Sequence, residues 1–322
     1  MSYVAVSPVG RVSAATVLWR HRGQRNVTAV VKATFALVPE GRMTQVDPVA
    51  IAFGEQADPY GIGLAEGGDV APLLREAGVT VVGHVQLPPH FTSDEVHVEL
   101  ELARGREIVL DRQLVLDGSK RVGPEQRHVH VQGMAPLSRE WPVRASHLGG
   151  ADPADLLPPD MTVPDDFDWA YFQAAPMEQR VARLAGDEWL ILGGFFLERP
   201  RLRTLLPAAH GAARLYRSIE PTPRGGEPIS MVLDTVHIDV DQHLYSLVWR
   251  GAAPVHGCDP MDLRVVAGVE LPGQPIEWLD PIERSEDEAR AARVKLADAL
   301  PSLSRASDSD LSATMMLTTE ES

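Results

Sequence analysis

From Asn26 to Pro39 the chain alternates. Val27, Ala29, Val31, Ala33, Phe35 and Leu37 fall on one face of an extended segment, and Thr28, Lys32 and Thr34 on the other. Val30, Ala36 and Val38 lend that second face some apolar character. A period of two over this length predicts an antiparallel strand, and Glu40-Gly41 a turn after it. Gly78 to Leu87 is a second strand-like run, rich in valine and ended by Pro88-Pro89. Ser93 to Ala103 is a third, with Val96, Val98, Leu100 and Leu102 inward and His97, Glu99 and Glu101 outward. Arg104-Gly105 turns the chain into Arg106 to Leu110. Later runs at 188–192, 201–206, 229–240, 243–250 and 263–271 read as further strands. The early strands follow one another without crossover helices, which is hairpin chemistry. The expected fold is mainly β: an antiparallel β-sandwich or two packed β-rich subdomains, with few short helices.

The pattern breaks between Gly133 and Asp166. Pro136, Pro142, Pro153, Pro158, Pro159 and Pro164 punctuate this stretch, which reads as a long irregular connection over the surface. It is the point at which a β-rich region spanning residues 1–283 would subdivide. An aromatic cluster follows: Phe167, Trp169, Tyr171 and Phe172. Pro176 then suits the first turn of a short helix over Met177 to Leu184. Ser285-Glu286-Asp287-Glu288 is a capping box, and Ala289, Ala292, Leu296 and Leu300 recur at helical spacing. These predict a C-terminal helix over 284–301, stopped by Pro301. Residues 302–322 are rich in Ser, Thr and Asp and are expected to be disordered, with one apolar island, Met315-Met316-Leu317.

Charge narrows the partners. The chain carries 45 acidic and 30 basic residues, a net charge of −15. Such a surface repels phosphate backbones and anionic lipid, so neither nucleic acid nor a membrane is the expected partner. The one cysteine, Cys258, excludes an internal disulfide. No apolar run approaches the roughly 18 residues of a membrane span, and the start at Met1-Ser2-Tyr3 is unlike a signal peptide. A cytoplasmic location is expected.

Catalytic signatures are sparse. There is no phosphate-binding loop, and Gly61, Gly63 and Gly67 lack the spacing and context of a dinucleotide fingerprint. There is no nucleophile elbow and no paired-histidine zinc helix. His128 and His130 lie two apart and would share a strand face, but no cysteine pair joins them. With His84, His90 and His97, they read as exposed strand histidines rather than metal ligands. Asp165, Asp166 and Asp168 suit turns and caps, or alternatively acid–base work in a hydrolase-type enzyme if they converge beside a pocket. Cys258 lies in turn-like sequence without a visible activating base. No catalytic residue, cofactor or metal is expected. The candidate interaction residues are Phe167, Trp169, Tyr171 and Phe172, and in the tail Met315, Met316 and Leu317. Aromatics more often fill cores, so the first four read as a plug anchoring the long connection. The tail island reads either as a docking motif acting by strand addition or as chance apolar residues.

The run Pro164-Asp165-Asp166-Phe167-Asp168-Trp169-Ala170-Tyr171-Phe172-Gln173-Ala174-Ala175-Pro176-Met177-Glu178-Gln179-Arg180 resembles a signature of the family called domain of unknown function 2169. Leu184-Ala185-Gly186-Asp187-Glu188 resembles that family's next step into a strand. Val30-Val31-Lys32-Ala33-Thr34-Phe35 is similar to its early strand, and Asp69-Val70-Ala71-Pro72 with Val81-Val82-Gly83-His84-Val85 to a later stretch. Asp234-Thr235-Val236 and Leu247-Val248-Trp249-Arg250-Gly251 resemble its closing strands. The resemblance spans roughly residues 1 to 283. The middle of typical members is longer, and here only Leu148-Gly149-Gly150 matches it. The resemblance implies an accessory or adaptor protein of bacterial type VI secretion, binding an effector or spike-tip protein. It implies no catalytic residues.

Overall fold

The alternation at 26–38 becomes the longest strand of the protein, and its polar face turns out to be covered too. The computed structural model describes residues 4–41, 44–59, 63–158, 160–217, 226–255, 257, 259–276 and 278. In chain order the strands are β1 (Ala5–Val9), β2 (Ser13–His21), β3 (Gln24–Ala36), β4 (Gln56–Ala57), β5 (Leu64–Glu66), β6 (Ala77–Val82), β7 (His84–Gln86), β8 (Glu95–Arg104), β9 (Glu107–Asp117) and β10 (Arg121–Val122). They continue with β11 (His128–His130), β12 (Asp160–Thr162), β13 (Arg180–Val181), β14 (Trp189–Phe196), β15 (Arg199–Leu205), β16 (His210–Arg217), β17 (Glu227–Ile229), β18 (Val232–Asp239), β19 (Leu244–Pro254) and β20 (Leu263–Glu270). One short helix, α1 (Pro142–Ser146), and a few 3-10 turns complete the regular elements among the described residues. The fold is mainly β, as the alternation predicts.

The central sheet has seven strands in the order β12-β2-β3-β19-β18-β6-β13. Two four-stranded sheets, β15-β14-β8-β9 and β1-β20-β16-β17, and a three-stranded one, β10-β11-β7, accompany it. Most pairings are antiparallel. Three are parallel: β1 with β20, β12 with β2, and β18 with β6. Hairpin reasoning finds neighbours in sequence, and these three pairs join distant segments.

One face of the central sheet meets the four-stranded sheets in a single large apolar core. Val27, Val31 and Phe35 of β3, Tyr245 and Leu247 of β19, and Val98, Leu100 and Leu102 of β8 all belong to it. A second, smaller apolar cluster covers the opposite face, with Val30 and Val248 of the sheet packed against Met161, Val163 and the aromatic run. Every residue from Val27 to Phe35 is therefore buried, a condition more usual for parallel sheets covered on both faces.

Three expectations change. The stretch 133–166 runs largely exposed, as expected, but it is pinned to the fold: Leu156, Met161 and Val163 are core residues, and β12 adds to the edge of the central sheet beside β2. The helix expected over Met177–Leu184 is a 3-10 turn over Met177–Gln179 followed directly by β13. The Gln179 side chain is fully buried and donates to the carbonyls of Val79 (2.7 Å) and Met134 (3.0 Å). That anchor, with β13 paired to β6, outweighs helix propensity. The run 229–240 splits at Ser230-Met231 into β17 and β18, which belong to different sheets. The helix expected over 284–301, the tail 302–322 and Cys258 lie outside the described residues.

Candidate functional site

The second face of the central sheet carries charge under its cover. Lys32 points from β3 into this layer and is 1% exposed. Its ammonium donates to Asp69 Oδ2 (2.9 Å), Glu66 Oε1 (3.0 Å) and the Ala50 carbonyl (3.3 Å). Asp69 Oδ2 also accepts the Ala52 N–H at 2.8 Å. Arg250 of β19 donates to the Asp69 carbonyl through Nη2 (2.5 Å) and Nε (3.2 Å), and pairs with Asp234. Asp234 sits where β18 shifts register against β19, which turns its carboxylate toward Arg250. Burial raises Asp234 to about 6, against the pull of Arg250. Burial also raises Glu66 above its ordinary range, with Lys32 opposing. His237 of β18 hydrogen-bonds Thr80 of β6 through Nδ1 at 2.9 Å. Desolvation, aided by the Lys32 charge, pushes this imidazole down to about 4.

Asp69, Thr80, Gln173, Thr235, His237 and Arg250 surround a cavity of about 30 Å3. A water needs roughly 10–15 Å3, so this space suits about two waters. The cover is tight where glycines meet it. A Cβ on Gly67 would stand 2.5 Å from that of Ala174, and one on Gly78 would stand 2.6 Å from that of Ala175. Chemically, the cluster fastens the cover at Ala50, Ala52, Glu66 and Asp69 to the sheet.

The aromatic run plugs the neighbouring part of the same face. Phe167, Trp169, Tyr171 and Phe172 are all buried. Phe167 meets Trp169 edge-on at 5.8 Å between centroids, and Trp169 meets Trp19 of β2 at 5.5 Å. These four candidate interaction residues lie inside the fold, so they present no free surface to a partner. Edge-to-face aromatic packing holds them there. Met315, Met316 and Leu317 lie outside the described residues.

The three nearby carboxylates do not converge. Asp165, Asp166 and Asp168 are exposed. Asp168 caps the turn Trp169–Phe172 by accepting the Ala170 N–H at 3.0 Å, and pairs with His147 at 2.7 Å. That backbone bond, then His147, holds its carboxyl below the usual range.

Two of the strand histidines are buried rather than exposed. His84 of β7 and His130 of β11 are cross-strand partners, with centroids 5.3 Å apart. His84 Nδ1 lies 2.7 Å from Asp241, and His130 Nε2 lies 2.8 Å from Asp58. Carboxylates on these two rings make their burial tolerable. Among the described residues, no three His, Cys, Asp or Glu side chains gather to hold a metal ion.

Large apolar side chains also stand at the surface around Glu55. Glu55 accepts from Ser138 Oγ (2.9 Å), the Arg139 N–H (2.5 Å) and Arg144 Nη1 (3.0 Å). Arg144, buried on α1, also donates to the carbonyls of Tyr171 and Leu137. These bonds bring the segment at 53–55 against 138–144, where Phe53 (59%), Trp141 (53%) and Val143 (43%) remain exposed. Sequence reading missed this corner, because no period links residue 53 to 141. It also missed the charged cluster, although Lys32, Asp69, Asp234, Arg250 and Gln173 each stand in a segment that carries the family resemblance.

Residues 115–250 match the model of a family described as an uncharacterized protein conserved in bacteria, DUF2169. The match supports that family for this chain. No curated protein and no solved structure matches it. The DUF2169 segment contains the aromatic plug, Asp234 and Arg250, whereas Lys32 and Asp69 precede it.

Proposed function

We propose that this chain is a non-enzymatic accessory or adaptor protein, which binds an effector or spike protein of a bacterial type VI secretion system. The secretion context comes from the family resemblance. The observation that carries the binding role is the Glu55 corner, where Phe53, Trp141 and Val143 stand exposed on a rigidly tied support. Exposed aromatics on a fixed scaffold are the usual anchors of protein interfaces. The buried charges are committed to holding the cover, and the carboxylates at 165–168 face solvent, so no observation favours the hydrolase reading. The charge of −15 favours a partner with a basic surface. No helix among the described residues is long and apolar enough to cross a membrane, and a cytoplasmic place follows from the adaptor role.

The test is affinity capture from native cytosol, comparing the wild type with a Phe53→Ser/Trp141→Ser variant and reading both by mass spectrometry. A spike or effector protein recovered by the wild type and depleted on the variant is the expected result. Recovery of no secretion protein by either would overturn the reading.

A further inference from the structure

A second concavity lies where three sheets meet. It measures about 380 Å3, within the range of roughly 300–1,000 Å3 typical of ligand sites. Its apolar side is formed by Leu184, Met231, Val232 and Leu233, with Trp249 behind them. β16 passes over Trp249 at Gly211, where a Cβ would stand 2.5 Å from that of the tryptophan. Its polar rim carries Arg104, Arg183 and His210.

The charges of this rim are unequal. Arg104 is paired with Glu188 and lies 3.5 Å from Asp187. Glu188 in turn accepts the N–H groups of Ala185 and Gly186 at 2.8 Å, so its carboxylate is spent within the fold. Arg183 is exposed and has no carboxylate partner among the described residues. A free guanidinium beside an apolar wall, on a chain of charge −15, marks a local site for an anion attached to an apolar group.

The backbone narrows the class. β6 pairs with β18 only from Thr235 onward. Val232, 41% exposed, and the buried Leu233 therefore pair with β19 on one side and, among the described residues, with no strand on the other. An open strand edge recognises extended polypeptide.

We infer that this cleft binds the C-terminal residue of a polypeptide whose last side chain is apolar, with Arg183 receiving the terminal carboxylate. The inference rests on the adaptor reading, since a polypeptide end is what an adaptor would capture.

The test titrates the full chain with the acetylated tetrapeptide Gly-Gly-Ala-Leu, with its C-terminal amide, and with N-acetyl-leucine, by calorimetry. Saturable binding of the acid is expected, weakened about tenfold or more when the carboxylate is amidated or in Arg183→Gln, as for loss of a charged hydrogen bond. Arg106→Gln, on the β8–β9 turn, should leave binding unchanged, and equal melting temperatures would show all variants folded. Absence of saturable binding, or equal binding of the amide, overturns the inference. N-acetyl-leucine binding as tightly as the tetrapeptide would also overturn it, by making the site one for free acids. Peptide binding without capture of a secretion protein would leave this site standing and sink the secretion reading. Capture without peptide binding would do the reverse.

Discussion

Lys32 is held entirely by protein oxygens. Its ammonium is enclosed by Asp69, Glu66 and a carbonyl, so Lys32→Met leaves two largely buried carboxylates without their cation. Removing one partner of a buried ion pair costs about 3–5 kcal/mol. The expected outcome is a lower urea midpoint at unchanged slope, and an unchanged midpoint would show that the cluster adds no net stability. His237 predicts a pH effect. Burial pushes its imidazole down to about 4 from 6.5, so below pH 6.5 the unfolded chain takes a proton that the folded chain declines. Its contribution is present above pH 6.5 and is lost as pH falls toward 4. Asp234 has the opposite sign: raised from 3.8 to about 6, it gains its proton first in the folded chain and adds stability as pH falls through that window. His237 is only partly accessible, and it is one of the residues lining the small cavity. His237→Gln should therefore gain on the wild type by roughly 1–2 kcal/mol between pH 7 and pH 5. Denaturation at both pH values measures this, and parallel pH profiles would refute it. None of this chemistry was readable as a cluster, because Lys32, Asp69, Asp234 and Arg250 come from four separate segments. Each was visible singly, as a polar residue in an otherwise apolar motif.

Strands were legible where one face is polar and the run is long. β8, with its alternating Val, Leu, Glu and His, gives its period directly. β2 does not, because the sheet around it is covered on both sides and Ala14, Ala15, Val17, Leu18 and Trp19 put apolar residues on both faces, with only Thr16 between them. β16 was missed for another reason: Gly211, Ala212 and Ala213 carry too little side chain to show a period. Irregularities within strands were equally silent. β14 shifts register between Gly193 and Phe196, and Gly194 takes φ of +78° there, with the His97 carbonyl of β8 where a Cβ would point. Glycine alone tolerates both conditions. Gly194→Ala should cost roughly 2 kcal/mol or more, combining left-handed strain with an unyielding backbone clash. In a chain of this size that lowers the melting temperature by about 3 °C or more, measurable by calorimetry. A variant melting with the wild type would mean that the β14 bulge can relax into the regular ladder.

At the scale of the molecule, β3 and β19 are shared by two layers. The large core lies on one side of them, and the charged cluster with the aromatic plug lies on the other. Local pattern cannot reveal this arrangement, since a strand covered twice and a strand in a sandwich differ in what packs on them rather than in period. The parallel pairing of β1 with β20 is likewise a matter of the whole chain. This layering bears on how a partner would bind. The second layer is fastened by ion pairs and close glycine contacts, so the corner bearing Phe53 and Trp141 is presented rigidly and loses little entropy on contact. Long-range charge and short-range apolar contact should then act on different rates. A charge of −15 draws a basic partner from a distance, so the association rate should fall as salt rises from 0.05 to 0.5 M, roughly tenfold or more. Phe53→Ser/Trp141→Ser leaves the charge untouched. It should leave association nearly unchanged while raising the dissociation rate about tenfold or more, because truncating a buried aromatic anchor costs roughly 2 kcal/mol or more. Surface plasmon resonance with a captured partner separates the two. If the double substitution slowed association and spared dissociation, the corner would belong to the encounter and not to the bound complex, and the anchor would have to lie elsewhere on the surface.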